Sequence, residues 1–116
     1  MAFTPEQLEQ VTALMDDFIK RNRPAVTDRK KFDIGWRQDR QNVYVYEVRR
    51  VGARSKELVH KDIARISWLQ RAKEWHVYWL RRNGKWELYE PLDAVVNLQR
   101  FLIELERDPH GCFWGC

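Results

Sequence analysis

The sequence has few cysteines and no long apolar run, and each scarcity excludes a class of protein. Two cysteines in 116 residues, both among the last five, cannot build a disulfide framework and are typical of a reducing compartment. No run approaches the roughly 18 apolar residues that span a bilayer. The amino terminus shows no basic segment followed by an apolar one, so no signal peptide is predicted. We therefore expect a cytoplasmic protein without contact with a membrane.

Apolar side chains are abundant enough for one folded core. Residues of the hydrophobic types make up 44% of the chain, and six of them are tryptophans. A chain of 116 residues has the length of one domain. A domain of this size buries about two-thirds of the surface that its unfolded chain exposes. We expect residues 1–116 to form a single domain that needs no metal or disulfide for stability.

The charges are unevenly distributed along the chain. Residues 20–86 hold 19 of the 21 lysines and arginines but only 7 of the 17 acidic residues, so a basic middle lies between acidic ends. An asymmetry of this kind is typical of proteins with a polyanionic partner. A solvated surface laced with salt bridges would give the same composition, and the two interpretations stay open.

Amphipathic helices are predicted at both ends of the chain. Thr4, Pro5 and Gln7 are typical of a helix start, because they supply a cap, a first-turn proline and a capping-box partner. The first helix should run to about Lys20, before Pro24, and the second should open at Pro91 and stop at Asp108. Their apolar stripes predict core-facing surfaces, formed by Leu8, Val11, Met15 and Phe18 and by Val95, Leu98, Phe101, Leu102 and Leu105.

Between the helices, the alternation of apolar and polar residues predicts five antiparallel strands in sequential order. The strands should occupy Lys31–Arg37, Val43–Arg50, Ile63–Leu69, Trp75–Arg82 and Lys85–Glu90, with Gly52–His60 as an irregular loop. Asn83-Gly84 predicts a two-residue hairpin turn. The expected fold is α+β: an N-terminal helix, a five-stranded antiparallel meander and a C-terminal helix, with both helices packed on one face of the sheet.

Alternation also predicts which side chains share a face. Matching the apolar positions places five of the six tryptophans in the core, in a set comprising Phe32, Ile34, Trp36, Tyr44, Tyr46, Val48, Ile66, Trp68, Trp75, Val77, Trp79, Trp86 and Leu88. In particular, Trp79 should be buried and Tyr78 should not. The other face, which no helix covers, should carry Asp33, Arg37, Val45, Glu47, Arg49, Arg65, His76, Tyr78, Leu80, Arg82, Glu87 and Tyr89.

The predicted outer face mixes arginines with tyrosines, and two functions fit it. Single-stranded nucleic acid, or another polyanion, could bind there, because bases stack on aromatic rings while guanidinium groups contact phosphate. The candidate nucleic-acid-binding residues are Arg37, Arg49, Arg65, His76, Tyr78, Arg82 and Tyr89. The alternative is a protein-interaction module or homodimer that buries this face or a strand edge. Which edge is exposed stays open, and tyrosines and arginines also shield strands without any binding role.

Enzymatic activity is not expected. The predicted register places Asp33 opposite Glu47, with Arg49 two residues on, a pattern similar to the Asp…Glu-x-Lys of metal-dependent nucleases. The usual lysine is an arginine here, which cannot release a proton, and salt bridges from Arg49 and Arg65 account for the same carboxylates. No serine elbow, glycine-rich phosphate loop or His-Glu-x-x-His motif is present, so no catalytic residue is assigned.

No metal or cofactor is predicted either. His110, Cys112 and Cys116 supply at most three ligands, at spacings unlike those of structural zinc sites. We expect Cys112, Phe113 and Trp114 to pack against the edge of the core instead.

Three segments resemble a family of small bacterial proteins catalogued as the domain of unknown function numbered 3024. They are KFDIGWRQDRQNVYVYEVR, ISWLQRAKEWHVYWLRRNGKWELYEPL and DPHGCFWG, and the likeness runs almost from end to end. The most distinctive parts are VYW…KW…YEPL and the terminal CFWG. Cys116, which follows CFWG, departs from the family pattern. The resemblance implies one bacterial domain and brings no activity, cofactor or partner with it.

Overall fold

The part of the chain that the structure describes forms one helix, the six strands of a single sheet and a second helix, in that order. The computed structural model describes residues 3–29, 32–51 and 57–114. The helices are α1 (Pro5–Asn22) and α2 (Leu98–Arg107), with short 3-10 helices at Val26–Asp28 and Glu90–Leu92. The strands are β1 (Phe32–Asp39), β2 (Asn42–Arg50), β3 (Leu58–Leu69), β4 (Glu74–Leu80), β5 (Trp86–Leu88) and β6 (Ala94–Val95).

The sheet is an antiparallel meander of neighbouring strands in the order β1-β2-β3-β4-β5. β6 also pairs with β4, so that β4 has β3 along one edge and β5 followed by β6 along the other. Both helices bury their apolar stripes in a single cluster with one face of the sheet, except that Leu8, which was predicted to face the core, is exposed. The predicted α+β meander is therefore confirmed, with six strands instead of five.

The start of α1 follows its sequence signals, whereas α2 starts later than predicted. The Thr4 hydroxyl accepts a hydrogen bond from the Gln7 backbone N–H, and the Gln7 side chain accepts one from the Thr4 N–H. The prediction that Pro91 opens α2 is wrong, because the chain first completes the sheet with β6 and α2 begins only after Asn97. The Asn97 side chain caps α2 by accepting a hydrogen bond from the Arg100 N–H. The stop at Asp108 is confirmed, and this residue adopts a left-handed φ of 40°.

The register of the first hairpin differs from the prediction by one residue. β1 and β2 are joined by only Arg40 and Gln41, so Asp39 pairs with Asn42 and Trp36 pairs with Val45. A one-residue slip moves every side chain of a strand to the other face. The predicted burial of Tyr44, Tyr46 and Val48 is therefore wrong, as is the predicted outer position of Val45 and Glu47. The helix-covered face of β2 instead carries Val43, Val45, Glu47 and Arg49.

The hairpin between β4 and β5 is also shifted by one residue, for a different reason. Arg81 and Lys85 face each other through a 2.9 Å hydrogen bond from the Arg81 N–H to the Lys85 carbonyl, which leaves a three-residue turn, Arg82–Gly84. Tyr78 then pairs with Leu88 and Leu80 pairs with Trp86. Because of this shift, the predicted core positions of Trp86 and Leu88 are wrong, and so are the predicted outer positions of Glu87 and Tyr89.

The remaining core follows the prediction. Trp75 is buried, and Trp36, Trp68 and Trp79 are half-buried against the core, so four of the five predicted core tryptophans lie on the helix-covered face. Trp79 is less buried than expected, and Tyr78 is half-buried as well. The predicted irregular stretch Gly52–His60 is wrong at its end, because β3 already begins at Leu58, while residues 52–56 lie outside the described residues.

Candidate functional site

The sheet face that points away from the helices, here called the outer face, carries a row of alternating arginines and tyrosines. Arg37 pairs with Tyr44, Tyr44 with Arg65, and Arg65 with Tyr78, so these four residues lie side by side on β1 to β4. The guanidinium carbon of Arg37 is 3.9 Å from the centre of the Tyr44 ring. That of Arg65 is 4.2 Å from the Tyr78 ring. The row is thus a set of cation–π contacts across four strands.

Trp86 adds a third aromatic ring to this row. Its ring centre is 6.0 Å from that of Tyr44 and 5.3 Å from the guanidinium carbon of Arg65. Arg65 therefore lies against both Tyr78 and Trp86. Sequence reasoning missed Tyr44 and Trp86 as candidate residues because it assigned both to the core.

The two arginines of the row differ in their partners. Arg37 donates to the Asp62 carboxylate at 2.8 Å, and this ion pair neutralises part of its charge. Within the described residues Arg65 forms no ion pair, and its Nε is buried without a hydrogen-bond acceptor. A buried polar atom without a partner is uncommon in folded proteins and is often satisfied by water or a ligand. Arg65 is therefore the cation of the row without an ion-pair partner among the described residues, and the Nε of Arg50, at the end of β2, is likewise buried without an acceptor.

Gly35 and Tyr46 fix the neighbouring part of the outer face. A β-carbon added to Gly35 would lie 2.5 Å from the Tyr46 hydroxyl oxygen and 2.6 Å from its ring carbon Cζ. The Tyr46 ring therefore lies flat across the Gly35 backbone, a position that only glycine leaves open. The ring is also stacked on His60, with centres 4.9 Å apart.

The structure does not bring all the predicted nucleic-acid-binding residues together. Arg37, Arg65, His76 and Tyr78 lie on the outer face, where His76 Nε2 is 3.1 Å from a Glu74 carboxylate oxygen. The placement of Arg49, Arg82 and Tyr89 on that face is wrong. Arg49 lies on the other face with Glu47, and Arg82 lies in the β4–β5 turn against a cavity that Trp79 also lines.

Tyr89 belongs to the core. Its side chain is fully buried, and its hydroxyl donates a 2.8 Å hydrogen bond to the Glu104 carboxylate of α2. Burial, and next the bond to Glu104, raise the pKa of the Tyr89 hydroxyl far above its ordinary value. Tyr89 therefore ties β5 to α2 and offers no ring for stacking.

The carboxylates of the nuclease interpretation lie apart. Asp33 pairs with Val48 and Glu47 pairs with Ile34, so their side chains point to opposite faces and the predicted juxtaposition is wrong. Arg23 holds Asp33 through two hydrogen bonds of 2.6 and 3.0 Å, which lower the pKa of the Asp33 carboxyl. Arg49 also donates two hydrogen bonds to the Glu47 carboxylate, of 3.0 and 3.2 Å. Both acids thus have an arginine partner of their own.

The C-terminal tail packs against the core as predicted. Phe113 is buried, while Cys112 and Trp114 are half-buried against the same cluster. Across residues 3–29, 32–51 and 57–114, no group of three or more His, Cys, Asp or Glu side chains could hold a metal. Cys116 of the candidate metal set lies outside these ranges.

Comparison with known families identifies the family of the chain. The model of DUF3024, described as a domain of unknown function, matches residues 3–115. The chain belongs to this family. The resemblance seen in the sequence is thereby confirmed, and the DUF3024 description assigns no activity to the site. The comparisons with curated proteins and with solved structures found no match. In the part of the DUF3024 fold that the structure describes, neither helix is long and apolar enough to cross a membrane.

Proposed function

We propose that the protein binds single-stranded nucleic acid through the outer face, with Arg65 at the centre of the site. The observation that supports this proposal is the row of stacked arginines and aromatic rings on a face opposite both helices. Arg65 contributes a charge that no carboxylate of the described residues neutralises. The cytoplasmic location expected from the sequence is part of the proposal, because RNA is abundant there.

Contact with an aromatic ring holds each guanidinium group in an orientation suited to binding phosphate. A guanidinium held flat against a ring keeps its in-plane N–H groups available, and it loses less side-chain freedom on binding than a free arginine. Phosphate oxygens accept such hydrogen bonds in pairs. The half-buried rings of Tyr44, Tyr78 and Trp86 then offer their uncovered edges and faces to splayed bases. A duplex presents phosphates but no unstacked bases, so single strands should bind better.

The charge of the outer face limits the affinity. Arg49 and Arg82 are not part of it, and Asp62 neutralises part of Arg37. We therefore expect one or two phosphate contacts. Each adds about 0.7 to the slope of log affinity against log salt concentration, so the slope should lie between about 0.7 and 1.4. A much steeper slope would indicate contacts elsewhere on the molecule.

Fluorescence anisotropy with a labelled oligothymidylate at low and high salt tests the proposal. Arg65→Ala should abolish most of the binding, and Arg65→Lys should weaken it, because lysine keeps the charge without the planar stack. Arg107→Ala is the matched control, since it removes one exposed positive charge from the last turn of α2, away from the outer face. Absence of binding at low salt, or equal binding by the Arg65 and Arg107 variants, would refute the proposal.

Self-association is a second candidate function, supported by the free end of the β2–β3 ribbon. Among the described residues β3 pairs with β4 only from Ala64 onward, so residues 58–62 have no strand paired along their second edge. Apolar side chains at this end are exposed, with Val51 at 55%, Leu58 at 50% and Val59 at 49%. Exposed apolar edges of this kind pair with other strands. Light scattering should then show a dimer that Val59→Lys dissociates; a monomer at all concentrations would contradict this function.

A further inference from the structure

Two adjoining cavities open beside the β4–β5 turn, on the side of the sheet opposite the outer face. Their volumes are about 190 and 470 Å³, and both are lined by Trp79, Arg81, Arg82 and Cys112. Together they form what we call the turn groove. The smaller cavity, here called the inner cavity, is also lined by Glu47, Lys61, Phe113 and Trp114. The larger one, here called the outer cavity, is also lined by His110.

One wall of the turn groove is held in place by the C-terminal tail. The Asp108 carboxylate accepts hydrogen bonds from the backbone N–H groups of Phe113 and Trp114, at 3.2 and 2.8 Å. The Trp114 indole N–H donates to the Leu105 carbonyl at 2.8 Å. Three hydrogen bonds thus fix the tail against α2. A ligand that enters the groove meets a wall that is already formed, which reduces the entropy lost on binding.

The groove is lined by three cations and by the carboxylates of Glu47 and Asp62, which are already paired with Arg49 and Arg37. Lys61, Arg81 and Arg82 line it, and of these only Arg81 has an ion-pair partner within the described residues, Glu87 at 3.6 Å. Arg82 and Lys61 are exposed at the rim. An anionic group at the mouth of the groove would therefore meet cations that are not yet neutralised.

The inner cavity combines aromatic walls with a buried carboxylate. Trp79 and Trp114 contribute half-buried indole rings, and Phe113, a member of the core cluster, lines the same cavity. Glu47 lines the same cavity with only 6% of its surface exposed. Each Glu47 oxygen accepts one hydrogen bond from Arg49, and each has a further lone pair for another donor. Aromatic walls with a buried acceptor suit a flat ring that carries N–H groups.

We propose that the turn groove binds a nucleoside monophosphate. The base enters the inner cavity against Trp79 and donates an N–H to Glu47. The ribose lies in the outer cavity, and the phosphate meets Arg82 and Lys61 at the rim. This site is separate from the outer face and does not depend on nucleic-acid binding there.

Isothermal titration calorimetry with adenosine 5′-monophosphate tests this proposal, with adenosine and inorganic phosphate as the two partial ligands. The monophosphate should bind at one site per chain and more tightly than either part. Arg82→Ala should weaken its binding about tenfold or more, because a hydrogen-bonded charge is lost. Lys61→Ala serves as a second variant, and both positions are exposed, so thermal melts should show intact folding.

Two charge-matched controls keep this site distinct from the outer face. Arg107→Ala should leave monophosphate binding unchanged, and so should Arg65→Ala, which is expected to reduce oligonucleotide binding only. No binding of the monophosphate, or equal binding by the Arg82 and Arg107 variants, overturns the groove as a nucleotide site. Phosphate alone binding as tightly as the monophosphate also overturns it, since the indoles and Glu47 would then play no part.

Discussion

Gly35 and Tyr46 form a contact whose disturbance should be measurable. Gly35→Ala would place a methyl group 2.5 Å from the Tyr46 hydroxyl, so the ring must swing away from the sheet. Overpacking of this kind costs about 1–3 kcal/mol. Because the clash involves the far end of a side chain, we expect a loss near 1 kcal/mol in the free energy of unfolding, measured by urea denaturation.

The matched variant for this test is Tyr46→Ala. Once the ring is absent, Gly35→Ala should cost little, so the two substitutions should be strongly non-additive in a double-mutant cycle. Additive effects would mean that the methyl group meets the backbone instead of the Tyr46 ring.

Asp33 should contribute to the dependence of stability on pH. Its pKa is lowered below the ordinary value of 3.8, first by the hydrogen bonds from Arg23. A carboxyl group with a lower pKa in the folded state than in the unfolded one stabilises the fold above its unfolded pKa. That contribution is lost as the pH falls through the folded pKa. Asp33→Asn should therefore lower the melting temperature at neutral pH.

The difference in melting temperature between the wild type and Asp33→Asn should be constant above about pH 4 and should shrink below it. Circular dichroism melts across this range provide the measurement. Asparagine can still accept the hydrogen bond from the Ile34 N–H, so the variant tests mainly the ion pair with Arg23. A difference that grows as the pH falls would contradict this assignment.

The burial of single residues was predictable only where one face of a strand was clearly more apolar. In β4, Trp75, Val77 and Trp79 alternate with His76 and Tyr78, and the assignment of these faces was correct. In β2, valines alternate with tyrosines, so either face could enter a core. The residue types on the two faces of β2 could not show which face is buried. The signal that could have decided was the Arg40–Gln41 turn, since its length fixes the register of β2 against β1.

Gly84 determines the register of the second hairpin. It adopts a φ of +81°, and a β-carbon added there would meet nothing within 4 Å. The three-residue turn with a left-handed glycine at its last position is a standard hairpin connection. Gly84→Ala should therefore cost about 1–2 kcal/mol from backbone strain alone, measured as a shift in the urea midpoint.

Gly84→Asn is the control for this prediction. Asparagine tolerates the left-handed region better than alanine, so it should recover part of the lost stability. Equal losses in the two variants would indicate that the side chain clashes with neighbouring atoms, and that backbone conformation is not the cause.

The ends of α1 were more predictable than the strand registers, for a physical reason. The capping signals of α1 are contained within a few residues, because Thr4 and Gln7 satisfy each other's backbone groups. The register of β5 depends on whether the turn has two or three residues, and Asn-Gly occurs in both kinds. The start of α2 was missed because Pro91 fits the first turn of the 3-10 helix Glu90–Leu92 as well as that of an α-helix.

The whole molecule should unfold in one step. Both helices and the sheet contribute to a single apolar cluster, and Arg21 and Asn22 of α1 contact Glu106 of α2. A domain with one core melts cooperatively. Far-UV circular dichroism and tryptophan fluorescence should therefore give the same melting temperature. Two separate transitions would mean that α1, or the end of the β2–β3 ribbon, is a unit of its own.

The charge distribution of the whole molecule was only partly predictable. The sequence shows that the basic residues lie in the middle of the chain, but not on which face they gather. The two register shifts and the turn move Arg49 and Arg82 away from the outer face. A polyanion long enough to reach both the outer face and the turn groove would have to pass around an edge of the sheet.

The contact between α1 and α2 has a consequence for synthesis on the ribosome. Val11, Met15 and Phe18 are made before Phe101, Leu102 and Leu105, which complete the same cluster some 80–95 residues later. Until then, the apolar stripe of α1 has no complete surface to pack on. A nascent chain of this protein should thus expose that stripe until α2 has been synthesised. The emerging polypeptide should therefore be a substrate for ribosome-associated chaperones until α2 can dock on α1 and the sheet.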